Sequence, residues 1–167
     1  MHMLPLGWLA VAAAGLTSGM AGVHLIERRE MSASLREDLV AAARKACAAE
    51  GHDVAVAAVD TAGTLRLLKA GDDTPALSIE AAIGKARTAA LLRRPTAEVA
   101  RTAQAAPAFE KFVMTRDPRF VLIGGGVPVM AMGELVGAIG VGGAPGPEAD
   151  ERCAAAALAD VAGKLGG

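Results

Sequence analysis

The residues from Gly124 to Gly143 constrain the fold more than any other stretch of the chain. Three consecutive glycines lead into the apolar run Val127 to Met132, a Gly133-Glu134 pair follows, and a longer apolar run closes on Gly142-Gly143. Glycine at this density marks backbone that turns with positive φ or lies against another backbone or a ligand. The pattern predicts a strand entering a triple-glycine turn, a short strand, a hairpin at Gly133-Glu134 and a long buried strand. A glycine-rich nest can also present N–H groups to an anion. However, no Gly-Lys-Ser/Thr follows the first cluster and no helix begins there, so this is not a phosphate-binding loop of the Walker type.

The remaining elements follow from periodicity. Ser34, with Glu37 three residues on, reads as the capping box of a helix from Leu35 to about Glu50, with Leu35, Leu39, Ala42, Ala43, Ala46 and Cys47 on one face. Val54 to Val59 is a continuous apolar, β-branched run of strand length, Asp60-Thr61-Ala62-Gly63 is a turn, and Thr64 to Lys69 returns beside it. Ser78 is expected to cap a helix from Ile79 to about Leu92, and Thr96 a shorter one after the break at Pro95. Ala105 to Asp117 reads as irregular or weakly helical, anchored by Phe109 and Phe112. Arg119 to Ile123 is expected to be a third strand, which with the glycine-rich pair makes five. From Pro147 a second Ala-rich helix begins, its first turns carrying Glu148, Asp150 and Glu151, where the helix dipole favours acids.

A chain of 167 residues, 53% hydrophobic and 21% charged, can bury one core and is too short for two ordinary domains. The 17 basic and 18 acidic residues nearly cancel and form no basic run, so no nucleic-acid partner is expected. Aromatics are 2% of the chain and tyrosine is absent, so the core must close by near approach of small side chains. Such surfaces also suit subunit packing. Cys47 and Cys153 lie in the two Ala-rich helical patterns; two buried free thiols are expected, with a bridge between the helices as the alternative.

Residues 1–31 stand apart as a hydrophobic extension, followed by a domain over 32–167. Leu4 to Val23 is almost uncharged and gives way abruptly to Glu27-Arg28-Arg29-Glu30. It has the length of a membrane anchor and the small residues of a signal peptide, but lacks a basic residue before the apolar run. Export or membrane association follows if this segment acts as a signal or anchor. A cytoplasmic protein follows if translation effectively begins near Met31.

Candidate chemistry is sparse. Lys85 can neutralise a ligand carboxylate or act as an acid or base, although a surface lysine paired with a carboxylate of its own helix or loop explains it equally well. Arg87 and Arg116 are further cations for a ligand carboxylate. Asp60 and Glu134 are possible catalytic carboxylates, weighed against a turn-forming aspartate and a solvated hairpin tip. Haem iron commonly takes His, Cys, Met or Tyr as axial ligand, and His52 is the only histidine beyond the amino-terminal extension. It sits in a loop position that suits either solvent exposure or a surface haem ligand. Met130 and Met132 alternate along the predicted fourth strand and read as packing residues. No His/Cys/Asp/Glu cluster has metal-ligand spacing.

Four blocks carry a resemblance: Val56-Ala57-Ala58-Val59-Asp60-Thr61-Ala62-Gly63-Thr64-Leu65, the helix from Ser78 to Ala89 around Lys85-Ala86-Arg87-Thr88-Ala89, the turn Gly124-Gly125-Gly126-Val127-Pro128-Val129, and Val136 to Gly143 followed by Asp150-Glu151. In this order, over roughly residues 35 to 165, they resemble the GlcG/HbpS haem-binding-like family. The resemblance implies an α+β domain with a five-stranded antiparallel sheet and flanking helices, the long terminal helices sharing one face, and assembly into dimers or higher oligomers. It implies haem or another tetrapyrrole as the leading ligand, and a small flat or carboxylated ligand is expected in a pocket bounded by the Lys85 helix, the turn of Gly124, Gly125, Gly126 and Pro128, and a neighbouring subunit. The alternative it implies is a cofactor-independent lyase or related enzyme acting on a small aromatic acid such as 4-hydroxylaminobenzoate. A purely structural oligomerisation module is the third alternative.

Overall fold

The computed structural model describes residues 26–166, so the apolar segment 4–23 lies outside the described residues. The element order is α1 (Ala33–Ala49), β1 (Ala55–Val59), β2 (Leu65–Lys69), α2 (Ala76–Leu92), α3 (Thr96–Ala105), α4 (Pro107–Arg116), β3 (Gly126–Ala131), β4 (Glu134–Gly142) and α5 (Pro147–Asp160), closed by a single 3₁₀ turn. The strands form one sheet in the order β2-β1-β4-β3 with every neighbouring pair antiparallel. Among the described residues there are four strands, not the five expected, and no helix is long and apolar enough to cross a membrane.

Alternation along the central strands divides the interior into two layers. Val56 and Ala58 of β1, Ile139 and Val141 of β4, and Val127 and Val129 of β3 face α1 and α5. Ala55, Ala57, Val59 and Ala138 face α2, which meets them with Ala82, Ala86, Ala89 and Ala90. The terminal helices thus share one face of the sheet and α2 covers the other.

The α2 layer is thin because glycine replaces side chains where helix meets sheet. A Cβ added at Gly140 would stand 2.2 Å from the Ala82 carbonyl oxygen, and one at Gly142 would stand 2.4 Å from that of Ser78. The long glycine-rich strand is therefore a seat for a helix at backbone contact distance.

Several local expectations are corrected. The cap of α1 is Ser32, whose hydroxyl accepts from the Leu35 N–H, and not Ser34. The helix α2 begins at Ala76, ahead of Ser78. Thr96 is the first residue of α3, with Pro95 as its cap, and its hydroxyl accepts the Gly126 N–H at 2.8 Å instead. Residues 107–116 form a regular helix whose Phe112 points to solvent. Met132 leaves the strand and takes a left-handed conformation in the turn.

The missing strand has a physical cause. Residues 119–123 lie across α2: the Val121 N–H donates to the Thr88 hydroxyl at 2.9 Å, and Val121 rests on Gly84, where a Cβ would stand 2.3 Å from its Cγ2. A helix hydroxyl satisfies the backbone that a strand partner would otherwise take.

Cys47 and Cys153 are joined by a disulfide, which overturns the expectation of free thiols. Small residues on both helices, Ala43 on α1 and Ala154 and Ala157 on α5, let the helices approach until the two Cα atoms are 5.4 Å apart, within the span a bridge needs.

Candidate functional site

A cleft of about 970 Å³ opens on the outer side of α2. One wall is α2 itself, from Leu77 to Arg87. The others are the β1–β2 turn at Gly63 to Leu65, the segment Pro118 to Ile123, and the passage from β4 into α5 at Gly142 to Pro147. Leu65, Leu77, Ile83, Val121 and Ile123 supply apolar surface. Leu77, at the start of α2, is exposed and lies on this lining.

Lys85 and Asp150 form the polar floor. Lys85 is 2% exposed and Asp150 3%, which corrects the surface-lysine expectation. The Lys85 ammonium donates to Asp150 Oδ2 at 2.5 Å and to the Val141 carbonyl at 3.0 Å, and Asp150 Oδ1 accepts the Ala144 N–H at 3.0 Å. An ammonium has three N–H donors, so one remains beyond these two contacts. Gly125 makes room for the pair: it has φ +113°, and a Cβ there would lie 2.6 Å from Asp150 Cβ and 3.0 Å from Lys85 Nζ. Gly126 similarly abuts the Lys85 carbonyl. Gly125 and Gly126 accordingly lie against the ion pair, Gly124 abuts Pro147 and Glu151, and none of these three glycines nor Pro128 is in the lining of the cleft.

A second polar group stands at the Arg87 end. Asp117 Oδ2 accepts from Arg87 Nε at 2.8 Å and Nη2 at 2.6 Å, while Arg119 brackets the same carboxylate through Nε at 2.8 Å and Nη2 at 3.0 Å. Arg87 Nη1 also donates to the Gly63 carbonyl at 3.1 Å, tying α2 to the β1–β2 turn. The hydrogen bonds from Arg119 foremost, then those from Arg87, hold the Asp117 carboxyl well below the usual carboxylate range despite the opposing effect of desolvation. Asp117 in turn raises Arg119 above its ordinary value.

The other sequence candidates lie elsewhere. Asp60 builds its turn by accepting the N–H groups of Ala62 and Thr64 and faces Arg66 at 3.4 Å. Glu134 is exposed at the β3–β4 turn, on a smaller cavity of about 390 Å³ with Arg28, Arg29 and Arg93. His52 follows the end of α1, its N–H bonded to the Cys47 carbonyl, and is not in the lining of the large cleft. Arg116 stacks on Phe112 at 5.2 Å. Asp150, Asp117 and Arg119 are not among the sequence candidates for the site; Asp150 stands out in the sequence as an acid in a first helical turn and as part of the block Val136 to Gly143 with Asp150-Glu151, and neither signal assigns it to the site.

The donor set decides what the cleft can hold. Its apolar walls and its cations Lys85, Arg87 and Arg119 fit a flat ring bearing carboxylates, but its described lining contains no His, Met, Cys or Tyr for an axial bond to iron. Among the described residues no three His, Cys, Asp or Glu side chains come together as a metal site.

Residues 31–159 match the family described as "Haem degrading protein HbpS-like". A 15.0 kDa protein from the dhaT-dhaS intergenic region of Citrobacter freundii is 34% identical over 90 residues, covering 54% of this chain and 63% of that protein, so the chain spans less than two thirds of that relative's length. Protein GlcG of Escherichia coli is 33% identical over 117 residues, 66% of this chain and 80% of GlcG. Among solved structures, HbpS superposes with a TM-score of 0.75 at 33% identity, over 83% of this chain and 94% of HbpS. A PduOC:heme complex gives 0.73 at 27% identity, over 78% and 94%.

Proposed function

The chain belongs to the HbpS-like family, and from that premise we propose that it is a small-molecule-binding domain whose α2 cleft takes haem or a related tetrapyrrole. The observation that carries this reading is the cleft, about 970 Å³ and walled by Leu65, Leu77, Ile83, Val121 and Ile123. That volume lies at the upper end of the roughly 300–1,000 Å³ usual for small-molecule sites. A solved relative in complex with heme supports the same ligand class. The side chains named would hold the ring by apolar contact, and haem when bound would supply iron and its redox chemistry. No iron ligand is assigned to the cleft.

Titration with hemin tests the reading. The expected result is a saturable Soret change at one equivalent that weakens when Ala81, which lines the cleft beside α2, is replaced by Trp, and that persists in His52→Ala. The absence of any saturable change would overturn it.

A second reading rests on a separate observation, the buried Lys85–Asp150 pair in the cleft lining. A proton donor and acceptor fixed beside a small bound acid are what a cofactor-independent lyase requires. Turnover of 4-hydroxylaminobenzoate that disappears in Lys85→Met supports it; no turnover by the wild-type protein excludes that substrate. Assembly into dimers or higher oligomers completes the proposal, supported by Phe112, which is exposed outside the cleft lining. A monomer in sedimentation at micromolar concentration would remove that part.

A further inference from the structure

Resting on the reading of the α2 cleft as the ligand site, we infer that Arg119 is its carboxylate-binding residue and that ligands lie with their acid groups at the Arg87–Arg119 end. The cleft has two chemically different ends. Leu77 and Arg87 both line it, ten residues apart on α2, so at 1.5 Å per residue the wall between them runs about 15 Å. At the far end stand Leu77, Ala144 and Pro147, with Glu80 as the carboxylate on that part of the wall. At the near end two guanidinium groups share the single carboxylate of Asp117, which leaves one unneutralised positive charge. The floor pair Lys85–Asp150 adds no net charge.

Hydrogen-bond capacity separates the two arginines. Arg87 is committed on both sides, through Nε and Nη2 to Asp117 and through Nη1 to the Gly63 carbonyl. Arg119 places only its Nε–Nη2 edge on Asp117. Of its five N–H donors three remain, and its side chain is 69% exposed. The opposite edge of a guanidinium held in this way has the fork geometry that grips a carboxylate through two parallel hydrogen bonds. Asp117 is then a positioning residue, because it fixes the plane of Arg119 without touching the ligand. A ligand that matches both ends has an apolar body against Leu65, Ile83 and Ile123 and acid groups gathered along one edge. Its reversal would set those acids beside Glu80.

Paired titrations with hemin and hemin dimethyl ester, which differ only in the acid groups, test the assignment. Wild-type protein is expected to bind the diacid about tenfold or more tightly than the diester. Arg119→Ala is expected to erase that preference by weakening the diacid alone, and Arg119→Lys to restore part of it. Equal affinity of the two probes for wild-type protein, or equal weakening of both in Arg119→Ala, would overturn the assignment while leaving the cleft as the site. Failure of both probes to saturate would overturn the cleft reading itself and the assignment with it.

Discussion

Lys85 and Asp150, 65 residues apart in sequence, meet at 2.5 Å between α2 and α5 with almost no solvent on either. Removing one member strands the other in the interior, at a cost of about 3–5 kcal/mol. Lys85→Met and Asp150→Leu are each expected to lower unfolding free energy by that order in denaturant titration. The double substitution is expected to recover most of the loss, since two apolar groups need no partner. Additive losses would show that the pair is not coupled.

Gly125 separates crowding from backbone strain. Gly125→Ala brings a methyl group to 2.6 Å from Asp150 Cβ at φ +113°, whereas Gly133→Ala, at φ +79°, meets nothing within 4 Å. The second change is expected to cost about 1–2 kcal/mol, from the left-handed backbone alone. The first is expected to cost a further 1–3 kcal/mol or so, from overpacking. Comparable thermal shifts in the two variants would contradict the close approach at Gly125.

The Cys47–Cys153 bridge closes a separation of 106 residues. Reduction, or Cys153→Ala, is expected to lower stability by about 2–5 kcal/mol. Thiol counting on unfolded, unreduced protein checks the premise: no free thiol is expected, and two would refute the bridge.

The pH response of the Arg87–Asp117–Arg119 group has a definite sign. Asp117 is depressed in the folded protein, so the stability it contributes is complete above its unfolded value of about 3.9. It is lost as the pH falls from there through the folded value. Carboxyl NMR is expected to show Asp117 still ionised at pH 4, and Arg119→Ala is expected to move its titration upward. The stability gap between wild type and Asp117→Asn is expected to narrow only below about pH 4.

Local chemistry made β1, the β1–β2 turn, β4 and the long helices readable, because each is announced by its own residues: a run of Val and Ala, Asp60 with Gly63, glycines at alternate positions. What escaped depends on partners distant in sequence. Residues 119–123 have strand-like composition, yet their fate was set by Thr88 and Gly84 on a helix thirty-odd residues earlier. Lys85 was recognised as a site candidate, but its burial depends on Asp150, and no spacing rule joins residues that far apart. Arg119 opens a stretch of strand-like composition; only the fold brings Arg87 to the other side of Asp117 and turns a surface arginine into the edge of a cleft. The cap of α1 differs from the expected one by two residues for a smaller reason, since Ser32 and Ser34 are both competent acceptors and their hydroxyls lie 3.0 Å apart.

The glycine seat beneath α2 divides the work of that helix between independent sets of positions. Ala82, Ala86 and Ala89 are buried against the sheet, and Ala82 and Ala86 meet Gly140 at backbone distance. Leu77, Glu80 and Ala81 line the cleft. Ser78 and Lys85 belong to both surfaces, but Leu77, Glu80 and Ala81 do not meet the glycine seat, so substitutions can accumulate at those three positions while the sheet side stays frozen. A lineage can exchange one ligand for another by changing a few residues on a single helix, with the folding problem already solved by the other stripe.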